Sequence, residues 1–102
     1  MKEYDICVPL FFNDGSPIDA LELQTIQKRL LAQFGGLTSF PQPNDGFWTM
    51  GNVMYRDAIV VYRVLAADSE ASRRFLTQLK ADLKRELQQQ EILIIERDVD
   101  TL

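Results

Sequence analysis

A chain of 102 residues with 46% hydrophobic and 25% charged residues has the balance of a globular domain and argues against disorder; its length lets roughly 65% of the unfolded surface be buried without a staple. A net charge of −4 and a pI near 4.7 argue against sequence-independent binding to nucleic-acid phosphates or anionic lipid, both of which need a basic surface. Histidine is absent and cysteine occurs once, so the commonest general base and any internal disulfide are both excluded.

The first predicted strand, Tyr4 to Phe12, alternates Tyr4, Ile6, Val8, Leu10 and Phe12 against Asp5, Cys7, Pro9 and Phe11. Pro9 lacks an N–H, so the strand must have an unpaired edge or a bulge there. Asn13-Asp14-Gly15 forms a turn, and Ser16-Pro17 reads as a helix start, with Ser16 as cap and Pro17 at the first helical position. That helix is expected to run from Pro17 to Phe34, burying Leu23, Ile26, Leu30 and Phe34, and to close at Gly35 or Gly36.

Leu37 to Phe40 is a short strand, and Pro41 to Gly46, with two prolines, is expected to be a loop. Phe47–Met50 and Val53–Arg56 flank Gly51-Asn52, a two-residue hairpin signal. The run Met54 to Ala66 is the richest in β-branched and aromatic residues and reads as the central strand. Ala58, Val60, Tyr62, Val64 and Ala66 share one face; Asp57, Ile59, Val61, Arg63 and Leu65 share the other, so both faces are largely apolar.

Asp68 or Ser69 caps a second helix that buries Phe75, Leu76, Leu79, Leu83 and Leu87 and reaches Gln88. Its Arg73, Arg74, Lys80, Lys84 and Arg85 fit a solvated face, with Glu70 and Asp82 placed to pair with Arg74 and Arg85. Glu91 to Arg97 is a last strand, apolar on both faces, before an acidic tail.

The order β-α-β-β-α-β, with a hairpin in the middle and right-handed crossovers, predicts a single domain over residues 1–102. Its expected form is a ferredoxin-like α+β sandwich: four antiparallel strands in order 4-1-3-2, with both helices on one face. The other apolar face then needs a mate or a guest. The motifs Phe34-Gly35-Gly36-Leu37-Thr38, Gly46-Phe47-Trp48 and Tyr55-Arg56-Asp57 also resemble those of small bacterial proteins of unknown function. That resemblance implies the same fold and supplies no catalytic residues.

Two functions follow as expectations. The first is a non-catalytic homodimeric module whose open sheet faces meet through Ile59, Val61 and Leu65. The second is a small-molecule sensor or enzyme of the dimeric α+β barrel type, with a pocket between the sheet and hairpin 47–57. Thr38, Trp48, Tyr55, Arg56 and Asp57 would line it: Arg56 would hold an anion, Trp48 would stack, and Asp57 or Tyr55 would exchange a proton. The competing reading of those residues is ordinary cross-strand pairing, with Trp48 packed within the hairpin.

Cys7, between Ile6 and Val8, reads as a buried, inert thiol. Asp98 and Asp100 are a weak cation set, and no metal or cofactor is expected. Met1 to Asp5 lacks the apolar segment of a secretion signal, and no apolar run reaches the roughly 18 residues of a membrane span. With one cysteine, the expected compartment is the reducing cytoplasm, without nucleic-acid or membrane partners.

Overall fold

The computed structural model describes residues 1–102. Strands β1 (Lys2–Pro9), β2 (Thr38–Met50), β3 (Val53–Ala66) and β4 (Leu93–Asp98) form one antiparallel sheet in the order β2-β3-β1-β4. Helices α1 (Ala20–Phe34) and α2 (Glu70–Glu86) complete a ferredoxin-like α+β fold. The expected strand order is this one read from the other edge.

Period-two geometry builds the core. Tyr4, Ile6 and Val8 of β1 lie opposite Val64, Tyr62 and Val60 of β3, all buried beneath Ile26 and Leu30 of α1 and Leu76, Leu79, Leu83 and Leu87 at the end of α2. Phe34 and Phe75 meet edge to face at 5.5 Å between the helices. No helix is long and apolar enough to cross a membrane.

Three local differences from the sequence expectation have physical causes. The first helix starts at Ala20 and not at Pro17, with Asp19 as its cap, accepting from the Leu21 amide at 2.9 Å. Ser16 and Pro17 instead close a small hairpin on the end of β1. Phe12 donates to the Ser16 carbonyl, Ile18 donates to the Leu10 carbonyl, and Asp14 accepts from the Ser16 amide. Burial of Ile18 in the core holds that hairpin down, so the helix begins only afterwards.

The expected loop Pro41–Gly46 lies inside β2, which runs unbroken from Thr38 to Met50. Between the pairs Phe40–Val61 and Asn44–Ile59, three residues of β2 stand against Val60 alone. Prolines are tolerated there because β2 is an edge strand and this is a bulge, where no ladder partner is required. In β1, Leu10 donates to Ala58, so the adjacent Pro9 nitrogen faces the β4 side, beyond the last β1–β4 pair, Cys7–Leu93.

The second helix stops at Glu86 and not at Gln88, because Gln88 is left-handed at φ 54°. The helices are joined by Asp82, whose carboxylate accepts from Arg29 at 2.8 Å, Gln78 at 2.9 Å and Arg85 at 3.1 Å. Arg29 first, then Gln78 and Arg85, hold its pKa down to about 2. A depressed carboxylate stabilises the fold above its unfolded value and loses that contribution as pH falls through the folded value. Asp82→Asn is therefore expected to lower the thermal midpoint at neutral pH. The gap from wild type should close between pH 3.8 and about 2, as read by circular dichroism across that range.

Candidate functional site

With both helices on the even-numbered side of β3, the odd-numbered side is uncovered. Strand register sorts that open face into rows running across the sheet. Phe40, Val61, Cys7 and Leu93 lie side by side on β2, β3, β1 and β4 and form an apolar band. Ile59 and Pro9 border it on one side.

On the other side the face is charged. Thr38, Arg63, Asp5 and Ile95 form the next row, and Leu65, Glu3 and Arg97 the one after. Arg63 binds Asp5 bidentately at 2.8 and 3.1 Å, and Arg97 binds it at 2.9 Å. Both arginines also reach Glu3, at 3.2 and 3.3 Å, and Arg63 lies 5.0 Å over the Phe40 ring. The Asp5 side chain is 8% exposed, and Arg63 first, then Arg97, hold its pKa below the usual carboxylate range against the opposing effect of burial. The open face is thus not oily throughout. Leu65 is cut off from Ile59 and Val61 by the Arg63 row, while Phe40 and Leu93, which sequence reasoning missed, complete the band.

Beyond Ala58, β1 no longer accompanies β3, so Gly46–Met50 and Val53–Asp57 project as a two-stranded arm, roughly 17 Å long. The Gly51-Asn52 turn joins its strands as expected, with Gly51 at φ 62°. Trp48 stacks on Tyr55 at 4.5 Å between centroids and 17° between planes, and donates through Nε1 to Asp57 at 2.8 Å.

The expected ligand set is therefore only partly assembled. Trp48, Tyr55 and Asp57 come together on the open side of the arm. Arg56 points to the opposite side, where Asp45 binds it at 3.2 and 2.9 Å and Phe47 lies 5.9 Å beneath it. Thr38 opposes Arg63, eight residues along β3 from Tyr55 and roughly 27 Å away. Their contacts are those of cross-strand pairing.

Cys7 is half-buried, not sealed in the core, and burial chiefly raises its pKa. Asp98 is paired to Lys2 at 2.6 Å, and no three His, Cys, Asp or Glu side chains converge as a metal site would require. Two shallow depressions, of about 280 and 250 Å³, lie at Met1 with Asp98–Asp100 and between Tyr4, Arg73, Lys80 and Glu96. Neither is lined by a residue of the arm.

No protein-family model matches the chain, and no curated protein matches it. The architecture is that of the ferredoxin-like α+β class. Among solved structures of this architecture, a phage SAM lyase in complex with S-methyl-5'-thioadenosine is similar to it, with a TM-score of 0.70 over 95% of this chain and 80% of that one. Identity is 11%, so the likeness is one of fold.

Asp5→Ala is expected to leave Arg63 and Arg97 with only the longer contacts to Glu3, at 3.2 and 3.3 Å. Breaking a buried pair costs about 3–5 kcal/mol, but both arginines are a third or more exposed and can turn to water, so about 2 kcal/mol is expected. A shift of the urea midpoint with an unchanged slope measures it.

Proposed function

We propose that this chain is a non-catalytic, self-associating module whose uncovered sheet face closes against a second copy of itself. The observation that carries this reading is the apolar band Phe40–Val61–Cys7–Leu93, bordered by Ile59, on a face that no helix of its own chain covers. Charge supports a like partner: Glu3 and Asp5 cancel Arg63 and Arg97, so the body of this face is neutral although the chain carries −4. The charged groups of the arm are committed to residues of β2, Arg56 to Asp45 and Asp57 to Trp48.

Wild-type protein is expected to show a mass above that of one chain in sedimentation equilibrium at micromolar concentration. Val61→Asp places an unpaired carboxylate in the contact and is expected to weaken association at least about tenfold. A wild-type monomer, or a Val61→Asp protein with unchanged mass, defeats the reading.

A second reading rests on the ligand held by the phage SAM lyase of the same fold: a nucleoside-type molecule stacked at Trp48 and Tyr55, with Asp57 as acceptor. Trp48 is the sole tryptophan, so titration with S-methyl-5'-thioadenosine is expected to change its fluorescence saturably and to raise the thermal midpoint. No change in either signal removes this second reading.

A further inference from the structure

We infer that the projecting β2–β3 arm is itself part of the contact, reaching across so that Trp48, Met50, Val53 and Tyr55 of one copy cover the band around Cys7 of the other. The inference rests on the self-association proposed above and adds which segment makes it.

The first support is area. A stable interface takes about 800 Å² from each partner. The band offers much less: Phe40 and Leu93 are about half exposed, and Ile59, Val61 and Cys7 are partly buried, leaving on the order of 300 Å² of apolar surface when a whole aromatic side chain presents 150–250 Å². Trp48, Met50, Val53 and Tyr55 are each 40–52% exposed and add about as much again. Together with a polar rim, the two reach the standard size; the band alone does not.

Position is the second support. In the strand register these four arm residues stand on the same side of the ribbon as Ile59 and Val61, so a partner laid on the open face meets both at once. No ionised residue interrupts the arm between Phe47 and Tyr55, and the first one inward on the open side, Asp57, is already bonded to Trp48. The third support is mechanical. A two-stranded ribbon is marginally stable in water by itself, and the 102-residue molecule is elongated, 42 Å along its longest axis, with a radius of gyration of 14.0 Å against the roughly 13 Å of a compact domain. Seating on a second copy supplies the missing layer.

Cys7 is the sole cysteine, which makes the test direct. In Met50→Cys protein, a mixture of ¹⁴N- and ¹⁵N-labelled copies is treated with a short bismaleimide at mildly alkaline pH and digested for mass spectrometry. Among the mixed-isotope cross-links, those joining position 50 of one copy to Cys7 of another are expected to dominate. In parallel, Trp48→Ser/Tyr55→Ser is expected to raise the apparent dissociation constant at least tenfold, with an unchanged far-ultraviolet spectrum of the body. If the protein assembles but only Cys7–Cys7 links or no links form, and the double variant associates like wild type, the arm has no part in the contact and face-to-face association stands alone. If wild type is a monomer, self-association itself fails, and this inference falls with it.

Discussion

Antiparallel pairing of β1 with β3, unbroken from Lys2–Ala66 to Pro9–Ile59, is the constraint on which the rest of the molecule depends. Because side chains alternate along both strands, this single register puts Tyr4, Ile6, Val8, Val60, Tyr62 and Val64 together on one side and leaves Glu3, Asp5, Cys7, Val61 and Arg63 on the other. A slip of one residue would exchange the two sets. The buried set can be covered only by the leucines of α2 and the Ile26 and Leu30 stripe of α1, so both helices are drawn to that side. Everything distinctive about the molecule lies on the side they leave.

That side is divided by chemistry. Toward the Lys2 end of β1, two carboxylates and two arginines from three adjacent strands neutralise one another, with Asp5 shielded beneath the guanidinium groups. Arg63 also lies across Phe40, so the charged zone meets the apolar band through a cation over a ring. A carboxylate this sheltered is tolerable because it is fully hydrogen-bonded; no buried side-chain polar atom of the molecule lacks a partner. The network gives strands β3, β1 and β4 a shared tie on the face that lacks a helix layer.

The sheet edge at β2 is interrupted. The outer edge of β2 carries Pro41 and Pro43 at a bulge, which blunts strand addition along its middle, while its far half continues into the arm. A bare edge invites indiscriminate strand pairing, and the prolines remove ladder donors from this part of it. The aromatic stack of Trp48 on Tyr55 and the bidentate Arg56–Asp45 pair tie β2 to β3 on the two opposite sides of the ribbon.

How much of this was legible beforehand follows from the range of each interaction. Alternation in β1 and β3, the leucine stripe of α2, the Gly51-Asn52 turn and the order of elements are local, so the ferredoxin-like topology and most of the core could be read from residue spacing. The pairings of Glu70 with Arg74 and of Asp82 with Arg85 were legible for the same reason. Features set by partners distant in the chain were not. Ser16-Pro17 has every local mark of a helix start, yet pairing with Leu10 and Phe12 and the burial of Ile18 claim it for a hairpin. Pro41 and Pro43 look like a loop until β2 is known to lie at an edge. A hairpin at 47–57 suggests that Thr38, Trp48, Tyr55, Arg56 and Asp57 gather at one end of the sheet, but strand parity turns Arg56 to the other side and register sets Thr38 opposite Arg63. The residues alone determined a two-layer α+β domain with one sheet face left uncovered. Only the tertiary structure decided that this face carries a cancelled charge network beside a four-strand apolar band, because a row across a sheet is composed by register, and register joins residues as far apart as Cys7, Phe40, Val61 and Leu93.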